Sequence, residues 1–243
     1  MRFWVFLLLG QATLLGQSMR TPAGQYAREA ANYEEFDDYI EVVEAQNPES
    51  QLKEAERFKQ KHPNSELLVF IYEYEVEAQR SLNHFPEARA AAEKALELTP
   101  NNTKVLLALA QLLADDTDAP DEDRARKVHF LVTRCLDELR KIRVPRSVPL
   151  RHWEETRSKM ESEAHAAYGL VSARRGQGAT AIREFVTAIT LNSSPDGSQH
   201  FYLGRLYAAA GRTRDALALL ALAEKLGPDQ IRKLALDAIS KLQ

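Results

Sequence analysis

Cysteine is nearly absent from this sequence of 243 residues, since Cys135 is the single one. A lone thiol cannot form an internal disulfide, so the fold must be held together by the packing of its core. Cys135 also lies at an apolar position of a predicted helix, which favours a small buried side chain over a reactive thiol.

An excess of charge of one sign is also missing. The 32 lysines and arginines nearly balance the 35 aspartates and glutamates, for a formal net charge of −3. That balance excludes a general electrostatic attraction to nucleic acid, and we expect no nucleic-acid partner. After residue 15 no apolar run is long enough to cross a bilayer, so we expect no membrane span in the mature chain.

Motifs of catalysis and metal binding are missing too. The six histidines form no H-E-x-x-H pair, and there is no G-x-S-x-G motif. Gly176 and Gly178 flank a turn but lack the third glycine of a phosphate-binding loop. We therefore predict a protein that is not an enzyme, with no catalytic residue, no cofactor and no bound metal.

The acidic segment from Asp115 to Asp123 offers carboxylates of the kind that calcium prefers. It lacks the glycine and the terminal glutamate spacing of a calcium-binding loop. A solvated turn is the favoured interpretation, with its last carboxylates at the positive start of the next helix.

The first residues differ from the rest of the chain. Met1 and Arg2 precede an apolar run over residues 3–15, and small residues allow cleavage after Ser18. This pattern is typical of a secretory signal peptide over residues 1–18, and the alternative is an uncleaved anchor helix. No cysteine lies near the cleavage site, which excludes a lipoprotein anchor. We expect an exported protein, periplasmic or secreted.

A recurring spacing is the strongest positive signal. Small or apolar residues follow one another at steps of four and three, and a proline or serine stands five residues later. The three occurrences are Ala88-Ala92-Ala95-Pro100, Ala181-Phe185-Ala188-Ser193 and Ala216-Leu220-Ala223-Pro228. Steps of four and three lie on one face of a helix, and proline cannot continue that helix. The sequence therefore predicts repeated helices that end at these positions.

The unit that ends at Pro228 is the clearest. Its first helix contains Gly204, where glycine costs about 1 kcal/mol relative to alanine, and we expect close approach of the second helix to compensate. Gly211 is expected to end the first helix in a left-handed conformation. The second helix is predicted over roughly Arg214 to Leu226.

These units resemble the tetratricopeptide repeat (TPR), a helix–turn–helix unit of 34 residues. In the last unit the match is carried by Leu203, Gly204, Tyr207, Gly211, Ala216, Leu220, Ala223 and Pro228. The preceding unit keeps Tyr168, Gly169, Gly176, Ala181, Phe185 and Ala188, with Ser193 in place of proline. The resemblance implies an all-α solenoid whose stacked hairpins leave a concave groove.

Three weaker units precede these two, so we expect about five TPR-like hairpins, with a capping helix over Ile231 to Leu242. The longest interval between equivalent positions, Val128 to Ala181, exceeds the repeat period by about half. The excess fits the segment from Lys141 to about Met160. The expected domains are an N-terminal array at 19–140, a Pro- and Arg-containing linker at 141–152, and a C-terminal array at 153–243.

Charge is uneven along the chain. Residues 29–56 contain ten acidic side chains and one basic, whereas residues 124–151 contain nine basic and two acidic. The favoured interpretation is solvated helix faces, or the two segments facing each other or a second copy. The alternative is a basic edge for an anionic partner, formed by Arg140, Lys141, Arg143, Arg146 and Arg151.

The resemblance implies a non-enzymatic scaffold or adaptor that binds a peptide or protein segment, as many exported bacterial TPR proteins do. Its first helices are expected to line the groove with Phe70, Glu73, Glu77, Arg80, Lys104, Leu107, Gln111, Arg174, Phe201 and Arg205. Glu73 and Glu77 stand where some family members grip a peptide carboxylate, so that role is disfavoured. The alternative is a glycan- or small-ligand-binding envelope protein that uses Phe201, Tyr202 and Trp153.

Overall fold

The computed structural model describes residues 30–116, 120–144, 149–192, 194–195 and 197–243, which contain eleven α-helices and no strand. The predicted signal peptide, Pro145, Arg146 and Ser193 lie outside the described residues. The helices are α1 (Tyr33–Val43), α2 (Pro48–Lys61), α3 (Leu68–Ser81), α4 (Phe85–Leu98), α5 (Thr103–Ala114), α6 (Glu122–Lys141), α7 (Leu150–Arg174), α8 (Gly178–Leu191), α9 (Gly197–Ala209), α10 (Thr213–Leu226) and α11 (Asp229–Ser240). None of these helices is long and apolar enough to cross a membrane.

The helices pack as five consecutive hairpins with α11 at the end. Each helix packs mainly on its neighbours in the chain, and the first helices of adjacent hairpins also touch, α1 with α3, α5 with α7 and α7 with α9. Because each hairpin contacts chiefly the next one, the chain forms a solenoid. The predicted all-α solenoid of about five hairpins with a capping helix is confirmed.

Four helices begin at a polar residue that caps the first turn. The side chains of Asn32, Asn47, Asn102 and Asp121 accept a hydrogen bond from the backbone N–H three residues on, at 2.7–3.3 Å. Each such cap satisfies a donor that the helix leaves unpaired and contributes about 1 kcal/mol. These caps explain where α1, α2, α5 and α6 begin.

In three hairpins the turn contains one residue in the left-handed conformation, at an equivalent position. Asn83, Gly176 and Gly211 have φ angles of 59°, 72° and 75°. In each turn the next residue's N–H bonds a carbonyl five residues back, as when Arg212 N donates to Tyr207 O at 2.9 Å. This arrangement satisfies the last carbonyls of the first helix. The left-handed conformation predicted for Gly211 is confirmed.

The residues of the recurring spacing form the contact between the two helices of a hairpin. Ala88, Ala92, Ala95, Ala181, Phe185, Ala188, Ala216, Leu220 and Ala223 are all 0–1 % exposed. A Cβ atom on Gly204 would lie 3.0 Å from Leu220 Cγ, and one on Gly169 would lie 3.1 Å from the Phe185 ring. The expected close approach at Gly204 is therefore present, and Gly169 repeats it one hairpin earlier.

Helix takes up much of the long interval between the third and fourth hairpins. α6 has 20 residues and α7 has 25. Since α7 begins at Leu150, residues 150–160 of the segment to which the excess was assigned form its first turns. Pro149 stands just before the helix, where its missing N–H costs no helical hydrogen bond. The division into two arrays stays a prediction.

The last helix covers the end of the solenoid. In α11, Ala235 is fully buried against a cluster of Phe201, Leu220 and Ala223. Ile231, Ala238, Ile239 and Leu242 are half-buried around it. The neighbouring Leu234 is 43 % exposed, because consecutive residues of a helix point in directions about 100° apart.

Candidate binding cleft

A cleft opens between α1, α3 and α5, the first helices of three successive hairpins. Its volume is about 470 Å³. The lining residues are Tyr39, Phe70, Glu73, Tyr74, Val76, Glu77, Lys104, Val105 and Ala108. Four residues of the predicted groove thus meet here: Phe70, Glu73, Glu77 and Lys104.

The cleft exists because α3 and α5 do not pack closely on each other. α5 packs on α4, α6 and α7, whereas α3 packs on α2 and α4. The α3 side of the cleft is lined by one stripe of side chains, since Phe70, Glu73, Tyr74 and Glu77 follow the spacing of a single helix face. Their chemistry therefore decides what the cleft can hold.

One wall of the cleft is aromatic. The Tyr39 ring from α1 lies 6.4 Å from the Phe70 ring in an edge-to-face arrangement, and 6.4 Å from the Tyr74 ring. Burial raises the pKa of the Tyr39 hydroxyl, and its contact with Tyr74 raises it further. Sequence reasoning missed Tyr39 and Tyr74 as cleft residues, although Tyr74 shares the spacing of Phe70 and Glu77.

Glu73 is the carboxylate set deepest in this wall. Burial raises its pKa, although the Asn102 amide donates a hydrogen bond to Oε1 and the Lys104 charge acts in the opposite direction. The nearby charge of Glu77 raises the pKa as well. The carboxylate is therefore partly removed from water with incomplete compensation of its charge.

Two other predicted groove residues lie on the same side of the molecule. Arg80 Nη2 donates to Gln111 Oε1 at 3.3 Å, and Gln111 Nε2 donates to Glu163 Oε2 at 3.2 Å. These bonds link α3, α5 and α7. Arg174 has a different surrounding, because its guanidinium donates to the carbonyls of Ala114 and Asp116 and so closes the end of α5.

Phe201 and Leu107 do not belong to an open groove, and their prediction as groove residues is wrong. Phe201 is 3 % exposed in the cluster under the capping helix, and Leu107 is 5 % exposed in the central core. Both are large apolar side chains on helices that are packed on more than one side, and burial removes them from water. Arg205 is exposed, with its guanidinium 5.8 Å from the centre of the Phe201 ring.

Solved structures share this architecture. The chain is similar to MamA from Desulfovibrio magneticus RS-1, with a TM-score of 0.58 and 14 % identity over 81 % of this chain and 97 % of that one. It is similar to YrrB, described as a TPR protein with an unusual peptide-binding site. The TM-score is 0.55 and the identity 18 %, over 86 % of this chain and 91 % of that one. It is also similar to PilW, a type IV pilus biogenesis factor, with a TM-score of 0.56 and 15 % identity over 80 % of this chain and 78 % of that one.

The chain has the tetratricopeptide-repeat fold. No family model matches the sequence, and no curated protein matches it. At identities of 14–18 % the shared property is the TPR arrangement of hairpins. The cleft lies between α1, α3 and α5, the first helices of three successive hairpins, which the sequence resemblance expects to line a groove.

The acidic run of the first TPR hairpin is paired within that hairpin. Asp38 of α1 accepts from Arg57 at 2.8 Å, from Lys61 at 3.1 Å and from the His62 ring at 2.8 Å. Burial alone would raise the pKa of Asp38, but these hydrogen bonds prevail and lower it to about 2. Among the described residues, neither α1 nor α2 packs on α6 or α7, which contradicts the interpretation that the acidic and basic segments face each other.

Most of the basic segment is also paired locally. Arg126 pairs with Asp123, Lys127 with Glu93, Arg140 with Asp137, Lys141 with Glu138 and Arg151 with Glu155. Arg134 donates to the side chain of Asn101. These contacts favour solvated helix faces over a basic edge for an anionic partner. Arg146, which belongs to the predicted edge, lies outside the described residues.

In the described part of the acidic turn, the carboxylates pair with arginines or cap a helix. Asp116 pairs with Arg89 at 2.9 Å and with Arg124 at 2.8 Å. Asp121 caps α6, and Asp123 pairs with Arg126. Among the residues that the structure describes, no group of three histidine, cysteine or acidic side chains is placed to hold a metal ion.

Two further side chains that could act chemically, Cys135 and His165, take part in structural contacts. Cys135 donates to Thr103 O at 3.5 Å, and burial raises the pKa of its thiol to about 12. His165 lies 2.7 Å from Glu184 across the fourth hairpin. A high thiol pKa makes Cys135 a poor nucleophile.

A smaller depression of about 200 Å³ lies where the alternative function places its aromatics. It is lined by Arg151, Glu154, Glu155, Ser158, Leu191 and Asn192. Trp153 is not among its lining residues, and Phe201 is buried in the core. The described geometry therefore gives no stacking platform for a sugar ring at this place.

Proposed function

We propose that this protein is an interaction scaffold or adaptor that binds a segment of another protein along the concave face of its TPR solenoid. The observation that carries the proposal is the cleft between α1, α3 and α5, with a volume of about 470 Å³. Ligand pockets typically have volumes of about 300–1,000 Å³. The cleft therefore suits a few side chains of an extended segment and is too small for a folded domain.

The named properties of similar structures support a role in protein binding. YrrB is described as having a peptide-binding site, and PilW as a pilus biogenesis factor. For this chain, the arrangement of aromatic, acidic and basic side chains in one cleft supports binding of a peptide of mixed polarity. We propose no reaction, because the sequence contains neither an H-E-x-x-H nor a G-x-S-x-G motif.

We also propose that the protein is exported. The support is in the sequence, where Met1 and Arg2 precede an apolar run over residues 3–15 with small residues before Met19. Mass spectrometry of the protein recovered from its host would then show a chain that begins at residue 19. A chain that retains residues 1–18 and stays with the cytoplasmic fraction would contradict the proposal.

Affinity capture with a charge-reversed cleft tests the scaffold role. The full chain serves as bait in envelope and secreted fractions, beside the double variant Glu77→Lys/Lys104→Glu. Both positions are exposed, so we expect the variant to keep its fold; it keeps the net charge and exchanges the charges of two of the three charged residues of the cleft. The matched control is Glu93→Lys/Lys127→Glu, which reverses an exposed ion pair between α4 and α6.

We expect a protein to be retained by the wild type and the control but lost from the cleft variant. Retention by all three baits would place binding elsewhere on the solenoid. If the folded wild type captures nothing, the scaffold role is contradicted, and a screen for small ligands that raise the melting temperature becomes the next step.

A further inference from the structure

We propose that the cleft between α1, α3 and α5 holds an arginine or lysine side chain of an extended basic peptide segment. The inference rests on the proposed function, because it names the chemistry of the segment that the scaffold binds. It is carried by an aromatic corner, by a carboxylate that is partly removed from water, and by the position of Lys104.

The aromatic corner is formed by Tyr39, Phe70 and Tyr74. The Tyr39 ring centre lies 6.4 Å from each of the other two, so the three rings border one space. A guanidinium or ammonium group is attracted to the face of an aromatic ring within about 6 Å of its centre. The rings also cover the methylene groups of a lysine or arginine, whose charged end then reaches past them.

Glu73 lines the same cleft as the rings, and its charge acts on the Tyr39 hydroxyl. Its carboxylate accepts a hydrogen bond from Asn102, and burial still raises its pKa. A cation brought into the cleft supplies the missing compensation and forms a charge-assisted hydrogen bond. Glu77 adds a second carboxylate at the rim, where 70 % of its side chain is exposed and Arg80 Nη1 lies 3.8 Å away.

Lys104 lines the cleft from α5, and its removal should affect basic and acidic ligands in opposite directions. Its side chain is exposed, and its charge acts on Glu73 through space. A basic ligand competes with Lys104 for the same carboxylate, so removing the Lys104 charge should strengthen binding. An acidic ligand would respond in the opposite way, because it would lose its main attraction.

The probes are four nonapeptides of glycine and serine that carry two arginines, two lysines, two glutamates or two leucines. Each is titrated to millimolar concentration into the ¹⁵N-labelled full chain, and binding is followed by NMR chemical shifts. We expect the arginine and lysine peptides to bind, with shifts centred on residues 70–77 and 104–108. The glutamate peptide should not bind there, and the leucine peptide should bind more weakly.

Three variants then separate charge from shape. Glu73→Gln and Glu77→Gln keep the size of the side chain, and each should weaken arginine-peptide binding by about threefold to tenfold. Lys104→Ala should strengthen it by about twofold to threefold. Glu93→Gln on α4 removes an acidic charge outside the cleft and should change the affinity little, and circular dichroism checks that each variant is folded.

The proposal is overturned if the leucine peptide binds as tightly as the arginine peptide and Glu73→Gln has no effect, which would indicate an apolar cleft. It is also overturned if the glutamate peptide binds and Lys104→Ala weakens it, or if no peptide shifts the cleft resonances. Affinity capture with the charge-reversed cleft is a separate measurement. A partner lost from the Glu77→Lys/Lys104→Glu bait preserves the scaffold role even where the basic-peptide inference fails.

Discussion

At the scale of single residues, the hydrogen-bond partners of a buried carboxylate decide whether its pKa is raised or lowered. Asp38, Glu73 and Glu75 are all acidic side chains largely shielded from water by helices. Hydrogen bonds from three basic side chains lower the pKa of Asp38 to about 2, whereas burial prevails at Glu73 and raises its pKa. Glu75 resembles Glu73, because burial raises its pKa despite the Lys59 ammonium at 2.6 Å. The partners differ: Asp38 has three basic donors and Glu75 has one ammonium, whereas the hydrogen bond to Glu73 comes from the neutral Asn102 amide.

The Asp38 cluster predicts a dependence of stability on pH. The pKa of Asp38 is about 2 in the folded protein and ordinarily 3.8. Since the folded value is the lower one, ionised Asp38 stabilises the fold above about pH 4, and this contribution is lost as the pH falls towards 2. Asp38→Asn should reduce the free energy of unfolding by about 1–3 kcal/mol at pH 7.

Urea denaturation at pH 7 and pH 3 checks this prediction, because the difference between wild type and Asp38→Asn should shrink at the lower pH. The matched control is Asp137→Asn, which removes a carboxylate from an exposed pair with Arg140 and should cost less than about 1 kcal/mol. If the free energies of unfolding of wild type and Asp38→Asn differ equally at both pH values, the stabilisation does not come from the ionised Asp38 carboxylate.

At the scale of helices, small residues set how closely the two helices of a hairpin approach. Gly169 and Gly204 occupy equivalent places in α7 and α9, against Phe185 and Leu220 of the following helices. A glycine in mid-helix costs about 1 kcal/mol relative to alanine. Here that cost is offset by contact with a large side chain that any Cβ atom would crowd.

Gly204→Leu should therefore be strongly destabilising. The added side chain meets Leu220 and the backbone carbonyl of Ala216, where a Cβ atom alone would lie at 3.0 Å and 3.3 Å. We expect a loss of about 1–3 kcal/mol or more in the free energy of unfolding, measured as a lower melting temperature. Gly178→Leu is the matched control, because nothing lies within 4 Å of a Cβ atom there. An unchanged melting temperature for Gly204→Leu would contradict this packing.

At the scale of the whole molecule, the end of the solenoid needs a cover. α11 places Ala235 on the cluster that contains Phe201 and Leu220, and all three side chains are 0–3 % exposed. Without α11 the last hairpin would present this apolar face to water. Terminal units with a polar outer side solve this problem in repeat proteins.

Ala235→Asp should detach α11, because a buried carboxylate without a partner is strongly unfavourable. Limited proteolysis should then cut near residues 228–232, and the exposed face should bind a hydrophobic dye. Leu236→Asp is the control, since Leu236 is 48 % exposed and the change places the charge in water. Equal protease resistance of wild type and Ala235→Asp would mean that α11 is not held through Ala235.

The sequence by itself determined the hairpins, because their signals are local. The steps of four and three, the turn glycines and Pro228 act within one or two helical turns, so they could be read without knowing the fold. The same signals predicted the contact of Gly204 with the second helix and the position of the capping helix.

Only the tertiary structure decided which side chains face the concave cleft. Phe70 and Phe201 both stand in first helices, yet Phe70 lines the cleft and Phe201 is covered by α11. Tyr39 reaches Phe70 and Tyr74 from another hairpin, a contact that no spacing within one helix encodes. Burial at these places depends on how neighbouring hairpins stack and on where two first helices separate, which is a property of the assembled solenoid.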